Sequence, residues 1–79
     1  MEGLGRLDAG ERVIAVVANG TAREVESGAT IVDLLQQFGW RPEWVVVEYN
    51  GEALERARYQ SVKLHAGDRL EIVRAVAGG

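Results

Sequence analysis

The chain closes with Arg69-Leu70-Glu71-Ile72-Val73-Arg74-Ala75-Val76-Ala77-Gly78-Gly79. Leu70 and Ile72 alternate with Arg69, Glu71 and Val73 in the two-residue period of a strand with one buried face, which predicts anchoring in a sheet as far as Arg74. Residues 75–79 carry no side-chain charge and nothing larger than Val76, so they have no means of building a core and are expected to form a flexible tail. Gly78 and Gly79 lack a Cβ and let another protein's walls close on the main chain. That suits a terminal carboxylate handled in a narrow site. The competing explanation is a frayed end, because terminal residues are commonly untied.

Working back from this stretch, Val13-Ile14-Ala15-Val16-Val17-Ala18 is a β-branched apolar run of strand length, expected in the sheet interior. Asn19-Gly20 supplies the positive φ angles of a two-residue turn, so Thr21 to Glu26 is predicted to fold back as a hairpin partner. Thr30 then reads as a helix N-cap with Asp33 placed to complete a capping box. Ile31, Leu34, Leu35 and Phe38 recur at helical spacing and form one apolar stripe, ended by Gly39. Trp40 and Trp44 are expected to seal the helix-to-strand connection, with Pro42 barring further helix. Val45 to Tyr49 is a third strand, followed by a second turn at Asn50-Gly51. Glu52 to Tyr59 is expected to hold a short extended piece and a helical turn, Ser61 to Leu64 a fourth strand, and Ala66-Gly67-Asp68 the turn into the terminal strand. A helix between the hairpin and the third strand allows the first and last strands to lie parallel in mid-sheet, with the helix across one face and the other face open to a partner.

The 79 residues amount to one small domain. The division expected is a loose leader at residues 1–11, a folded domain at 12–74 and the tail at 75–79. Without cysteine the chain has no disulfide, thiolate zinc site or thiol nucleophile. It shows neither a membrane-length apolar run nor the apolar centre of a secretory signal, so a soluble cytoplasmic protein is expected. A net charge of −3 argues against nucleic-acid binding. The charge is uneven: residues 1–55 hold four basic and ten acidic side chains, whereas Arg56, Arg58, Lys63, Arg69 and Arg74 outnumber Asp68 and Glu71 just before the tail. This concentration either solvates a strand or steers the chain toward an acidic partner.

A catalytic constellation is not legible. His65 stands alone at a turn, Ser27 and Ser61 have no base beside them in sequence, the carboxylates are scattered, and no phosphate-cradling motif is present. No bound cofactor is expected. Attention therefore returns to the terminal carboxylate, which is ionised at neutral pH with an ordinary pKa of about 3.3–3.7 and is a poor electrophile until another protein activates it.

Val16-Val17-Ala18-Asn19-Gly20, the helix entry Gly28-Ala29-Thr30-Ile31-Val32-Asp33-Leu34-Leu35, Val47-Glu48-Tyr49-Asn50-Gly51-Glu52, the Arg56 to Tyr59 spacing and Ala66 to Val73 leading to Val76-Ala77-Gly78-Gly79 together resemble the ThiS family. These are small sulfur carriers of thiamine biosynthesis. The resemblance implies an α+β, ubiquitin-like β-grasp domain with a mixed four- to five-stranded sheet, one main helix and a flexible Gly-Gly tail. It also implies that a ThiF-like enzyme using ATP and magnesium adenylates Gly79, and that a cysteine desulfurase route supplies sulfur for a thiocarboxylate. A ThiG-like thiazole synthase would then receive that sulfur. Gly78, Ala77 and Val76 would form the threading arm, and Val62, Leu64, Val73 and Arg74 are the expected partner contacts. The leader at residues 1–11 departs from the family pattern. Carriers for molybdopterin or tRNA thiolation, and a purely non-covalent ubiquitin-like module, are the alternatives.

Overall fold

A computed structural model describes residues 12–75. The leader at 1–11 and the expected threading residues Val76, Ala77, Gly78 and Gly79 lie outside the described residues. Strand β1, Val13–Ala18, turns at Asn19 (φ 53°) and Gly20 (φ 81°) into β2, Thr21–Glu26, in full antiparallel register from Val13–Glu26 to Ala18–Thr21. Both turn residues hold the left-handed backbone that the Asn-Gly pair tolerates. Helix α1, Ile31–Phe38, starts at the expected capping box: Asp33 N–H donates to Thr30 Oγ1 at 3.3 Å and Thr30 N–H donates to Asp33 Oδ2 at 2.9 Å. It ends at Gly39, whose φ of 75° is the left-handed C-terminal cap. The stripe points inward, with Ile31, Leu34 and Leu35 fully buried. Each such side chain contributes about 1.5–3 kcal/mol by leaving water.

Strand β3, Val45–Tyr49, is followed by the two-residue β4, Glu52–Ala53, and by β5, Arg69–Arg74. The sheet runs β2-β1-β5-β3-β4, so the last strand in sequence is central in space. It pairs parallel to β1 and antiparallel to β3. Val16, Ala18, Leu70, Ile72, Val45 and Val47 form the inward row under the helix. The parallel ladder has only two register pairs, Val17–Arg69 and Ala18–Leu70, because β1 turns away. The Asn19 side chain takes over where the strand stops: Ile72 N–H donates to its Oδ1 at 2.7 Å and its Nδ2 donates to Ile72 O at 3.1 Å. One amide group thus imitates the next residue of β1.

Two expectations need correction. Ser61 to Leu64 is not a strand; the fourth strand is β4, and Lys63 makes only an isolated bridge to Thr30. Its main chain bonds to the helix entry instead, with Leu64 N–H donating to Ala29 O at 2.8 Å and Ile31 N–H donating to Val62 O at 3.2 Å. Trp40 does close the helix-to-strand connection, packing partly buried against Phe38 with ring centroids 5.0 Å apart. Trp44 does not, being 42% exposed at the end of the 3-10 turn Pro42–Trp44, because the next residue, Val45, takes the inward position.

Candidate functional site

The described residues end at Ala75, one position beyond β5. Ala75 N–H donates to Trp44 O at 2.8 Å and prolongs the β3–β5 ladder by one step. Beyond Asn19, β1 has no residue opposite β5, so the strand leaves the sheet with β3 alone beside it. Val73 and Val46 are cross-strand partners on the face away from the helix and are 61% and 42% exposed. Two large apolar side chains thus stand in water side by side near the end of β5. Next along the same face, Glu71 and Glu48 stand directly opposed, a like-charge pair that costs stability.

The four expected contact residues separate into two groups. Val73 and Arg74 are exposed beside the exit. Leu64 is only 2% exposed and is corrected from contact surface to core, while Val62 packs partly buried against the same cluster. Both lie at the helix entry, since their segment is not part of the sheet. Val46 was not legible as a site residue. In Val45-Val46-Val47 nothing but parity separates the outward valine from its inward neighbours, and a one-residue slip reverses the assignment.

The opposite end of β5 is pinned by Asp68. Its carboxylate accepts from Tyr49 Oη at 2.6 Å, His65 N–H at 2.7 Å and Asn50 Nδ2 at 3.2 Å, and Asn50 Oδ1 accepts from Arg69 N–H at 2.9 Å. Burial alone would raise the Asp68 pKa, but the bonds from Tyr49, His65 and Asn50 outweigh it and hold the carboxyl below its ordinary value. Tyr49 is pushed up to about 12 by burial, by its bond to Asp68 and by the charge of Asp68. Asp68 therefore stabilises the fold fully above its unfolded pKa near 3.8 and loses that contribution as pH falls through its lower folded value. Tyr49 contributes fully below its unfolded value of 10.0 and loses its contribution as pH rises toward 12. Asp68→Asn is expected to cost about 1–3 kcal/mol at neutral pH. In urea titrations followed by tryptophan fluorescence, the gap from wild type should narrow as pH falls from neutral to below 3.8. A gap constant over that range would show that the charge of Asp68 contributes nothing.

Neither candidate nucleophile or base is assembled into chemistry. Ser61 Oγ donates to Arg58 O at 3.2 Å, and the His65 ring is 77% exposed with Nδ1 4.0 Å from Asp68 Oδ2. Among the described residues no group of three or more His, Asp or Glu side chains could hold a metal ion. No described helix is long and apolar enough to cross a membrane.

A five-stranded mixed sheet with a parallel central pair, crossed by one helix and delivering its last strand to an exposed end, is the ubiquitin-like β-grasp architecture. The chain is similar to the crystal structure of the thiamine biosynthesis protein ThiS from Geobacter metallireducens, with a TM-score of 0.70, 29% identity, and coverage of 84% of this chain and all of that one. It is 42% identical over 50 residues to the sulfur carrier protein ThiS of Bacillus subtilis (strain 168), covering 63% of this chain and 76% of that protein. It is also 38% identical over 61 residues to the thiazole synthase of Magnetococcus marinus (strain ATCC BAA-1437 / JCM 17883 / MC-1). That match takes in 77% of this chain but 19% of the synthase, so the chain spans about a fifth of that relative's length. The ThiS family profile matches residues 11–79, and the chain belongs to the ThiS family.

Proposed function

We propose that this protein is a sulfur carrier for formation of the thiamine thiazole ring and that Gly79 is its modified residue. The observation that carries the proposal is the family match, which spans residues 11–79 and so reaches Gly79. A ThiF-like enzyme binds Gly78, Ala77 and Val76 in extended form and holds magnesium-ATP. A carboxylate oxygen of Gly79 attacks the α-phosphorus, pyrophosphate leaves, and the acyl adenylate replaces a poor electrophile with a good one. Hydrosulfide, sulfur at the sulfide level released through a desulfurase route, then attacks the carbonyl carbon, the C–O bond to the phosphate breaks with its electron pair leaving on AMP, and loss of the sulfur's proton leaves the thiocarboxylate. The resulting thiocarboxylate passes its sulfur to a ThiG-like thiazole synthase. The match between this chain and a segment of the M. marinus thiazole synthase supports that partner. A cytoplasmic setting goes with this assignment. The exposed Val73 and Val46 beside the exit supply the apolar contact for these enzymes.

The test is mass spectrometry of the intact chain after incubation with a ThiF-type enzyme, magnesium-ATP and a sulfur donor. Replacement of one oxygen by sulfur, mapped to the C-terminal peptide and reversed on adding a thiazole synthase with its substrates, is expected. An unchanged mass, or sulfur located elsewhere, would remove the proposal.

A further inference from the structure

We propose that Arg41, Arg56 and Arg74 form a basic collar around the exit of β5 and dock against an acidic surface on the enzyme that activates the tail. This rests on the carrier assignment. The three arginines come from separate stretches of chain and border the segment from Pro42 to Val45. Arg74 stands in register with Val45. Arg56 Nε donates to Pro42 O at 3.0 Å. The Arg41 guanidinium lies 5.5 Å from the centroid of the Trp44 ring, with Nη1 3.5 Å from Glu43 Oε2. Trp44 itself accepts the Ala75 N–H, so the collar sits at the point of departure. All three arginines are exposed. Arg74 has no ion-pair partner among the described residues, and Glu43 is the only carboxylate among them that pairs with the collar.

Charge is segregated across the domain. The strand face away from the helix carries the opposed pair Glu48 and Glu71, whereas the exit carries the arginines. A chain with net charge −3 that nonetheless gathers cations at one end presents a complement to an acidic surface. A tail drawn out into a narrow site carries Gly79 about 14 Å beyond Ala75. The collar therefore meets the rim of that site, and the nucleotide phosphates within are left to other groups.

The experiment measures ATP–pyrophosphate exchange by a ThiF-type enzyme as a function of carrier concentration at low and high ionic strength. It compares wild type, R74Q, the triple variant R41Q/R56Q/R74Q and the control K63Q, each checked for folding by its urea midpoint. The triple variant is expected to raise KM for the carrier about tenfold at low salt with kcat unchanged, and the difference should shrink as salt screens the charges. R74Q, whose side chain makes no bond among the described residues, should raise KM about threefold without touching stability. K63Q should match wild type. Equal KM values for wild type, R74Q and the triple variant would overturn the collar while leaving the carrier intact. A fall in kcat at constant KM, insensitive to salt, would assign the arginines to the nucleotide and likewise overturn it. No exchange by wild type would remove the carrier assignment and the collar with it.

Discussion

Deletion of Gly78 and Gly79 is expected to abolish ATP–pyrophosphate exchange with a ThiF-type enzyme while the urea midpoint stays at the wild-type value. The loss is complete because the reacting carboxylate is itself displaced. A chain ending at Ala77 still has a terminal carboxylate, but two residues of extended reach, about 7 Å, are gone, and the acid no longer meets the nucleotide. Near-attack geometry tolerates no such gap, since reacting atoms must approach to about 3–3.5 Å. Stability should not change because, among the described residues, the buried core runs from Val16 to Ile72. Gly79→Asp separates bulk and charge from length: it keeps the reach yet adds a side chain where the channel must close on bare main chain, so exchange should again be lost. Exchange at the wild-type rate by the deleted chain would exclude Gly79 as the modified residue. A purely non-covalent module, in contrast, gives no exchange with either chain.

Tyr59→Phe is expected to remove about 1–3 kcal/mol of stability through one oxygen atom. The ring is buried, and its hydroxyl accepts from Val47 N–H at 3.0 Å and donates to Val45 O at 3.4 Å. Strand β3 needs this because its outer edge has little else. Strand β4 registers only with Glu48 and Tyr49, and Leu54 N–H adds one bond to Val47 O at 3.0 Å. The hydroxyl therefore does for the first half of β3 what a neighbouring strand would do. Without it, the amide of Val47 and the carbonyl of Val45 lose their partner inside the core, where an unmade hydrogen bond is most costly. A domain of this length holds only about 4–12 kcal/mol in total, so the variant forfeits a substantial part of it. Urea unfolding gives the magnitude, and hydrogen exchange gives the place: the Val47 amide should lose protection more than the amides of β1. Equal stability of Tyr59→Phe and wild type would show that water or a shifted backbone replaces the hydroxyl.

Much of the fold was legible because its signals act over a few residues. Asn19-Gly20 and Asn50-Gly51 select their turns through their own φ preferences, and Asn50 does adopt a φ of 50°. The capping box spans Thr30 to Asp33, and the helical stripe repeats every three or four positions. Ser61 to Leu64 shows how the same signals mislead. Val62 and Leu64 alternate with polar residues as in a strand, but alternation reports only that one side is buried. The segment buries that side against the helix entry, without joining the sheet. Trp44 shows the reverse error: it was expected to seal the helix-to-strand connection, while its place just before the inward Val45 left it exposed.

By itself the sequence determined the first hairpin, the helix, the third and last strands, their order and the two Asn-Gly turns, because each is written in contacts between near neighbours along the chain. Tertiary structure alone decided what those elements do for one another. Asn19 completes the central strand at Ile72, 53 positions away, Tyr59 completes β3, and three distant arginines gather at the exit. Such partners are chosen by which strands lie side by side once the core closes, and neither propensity nor periodicity carries that information across so long a loop.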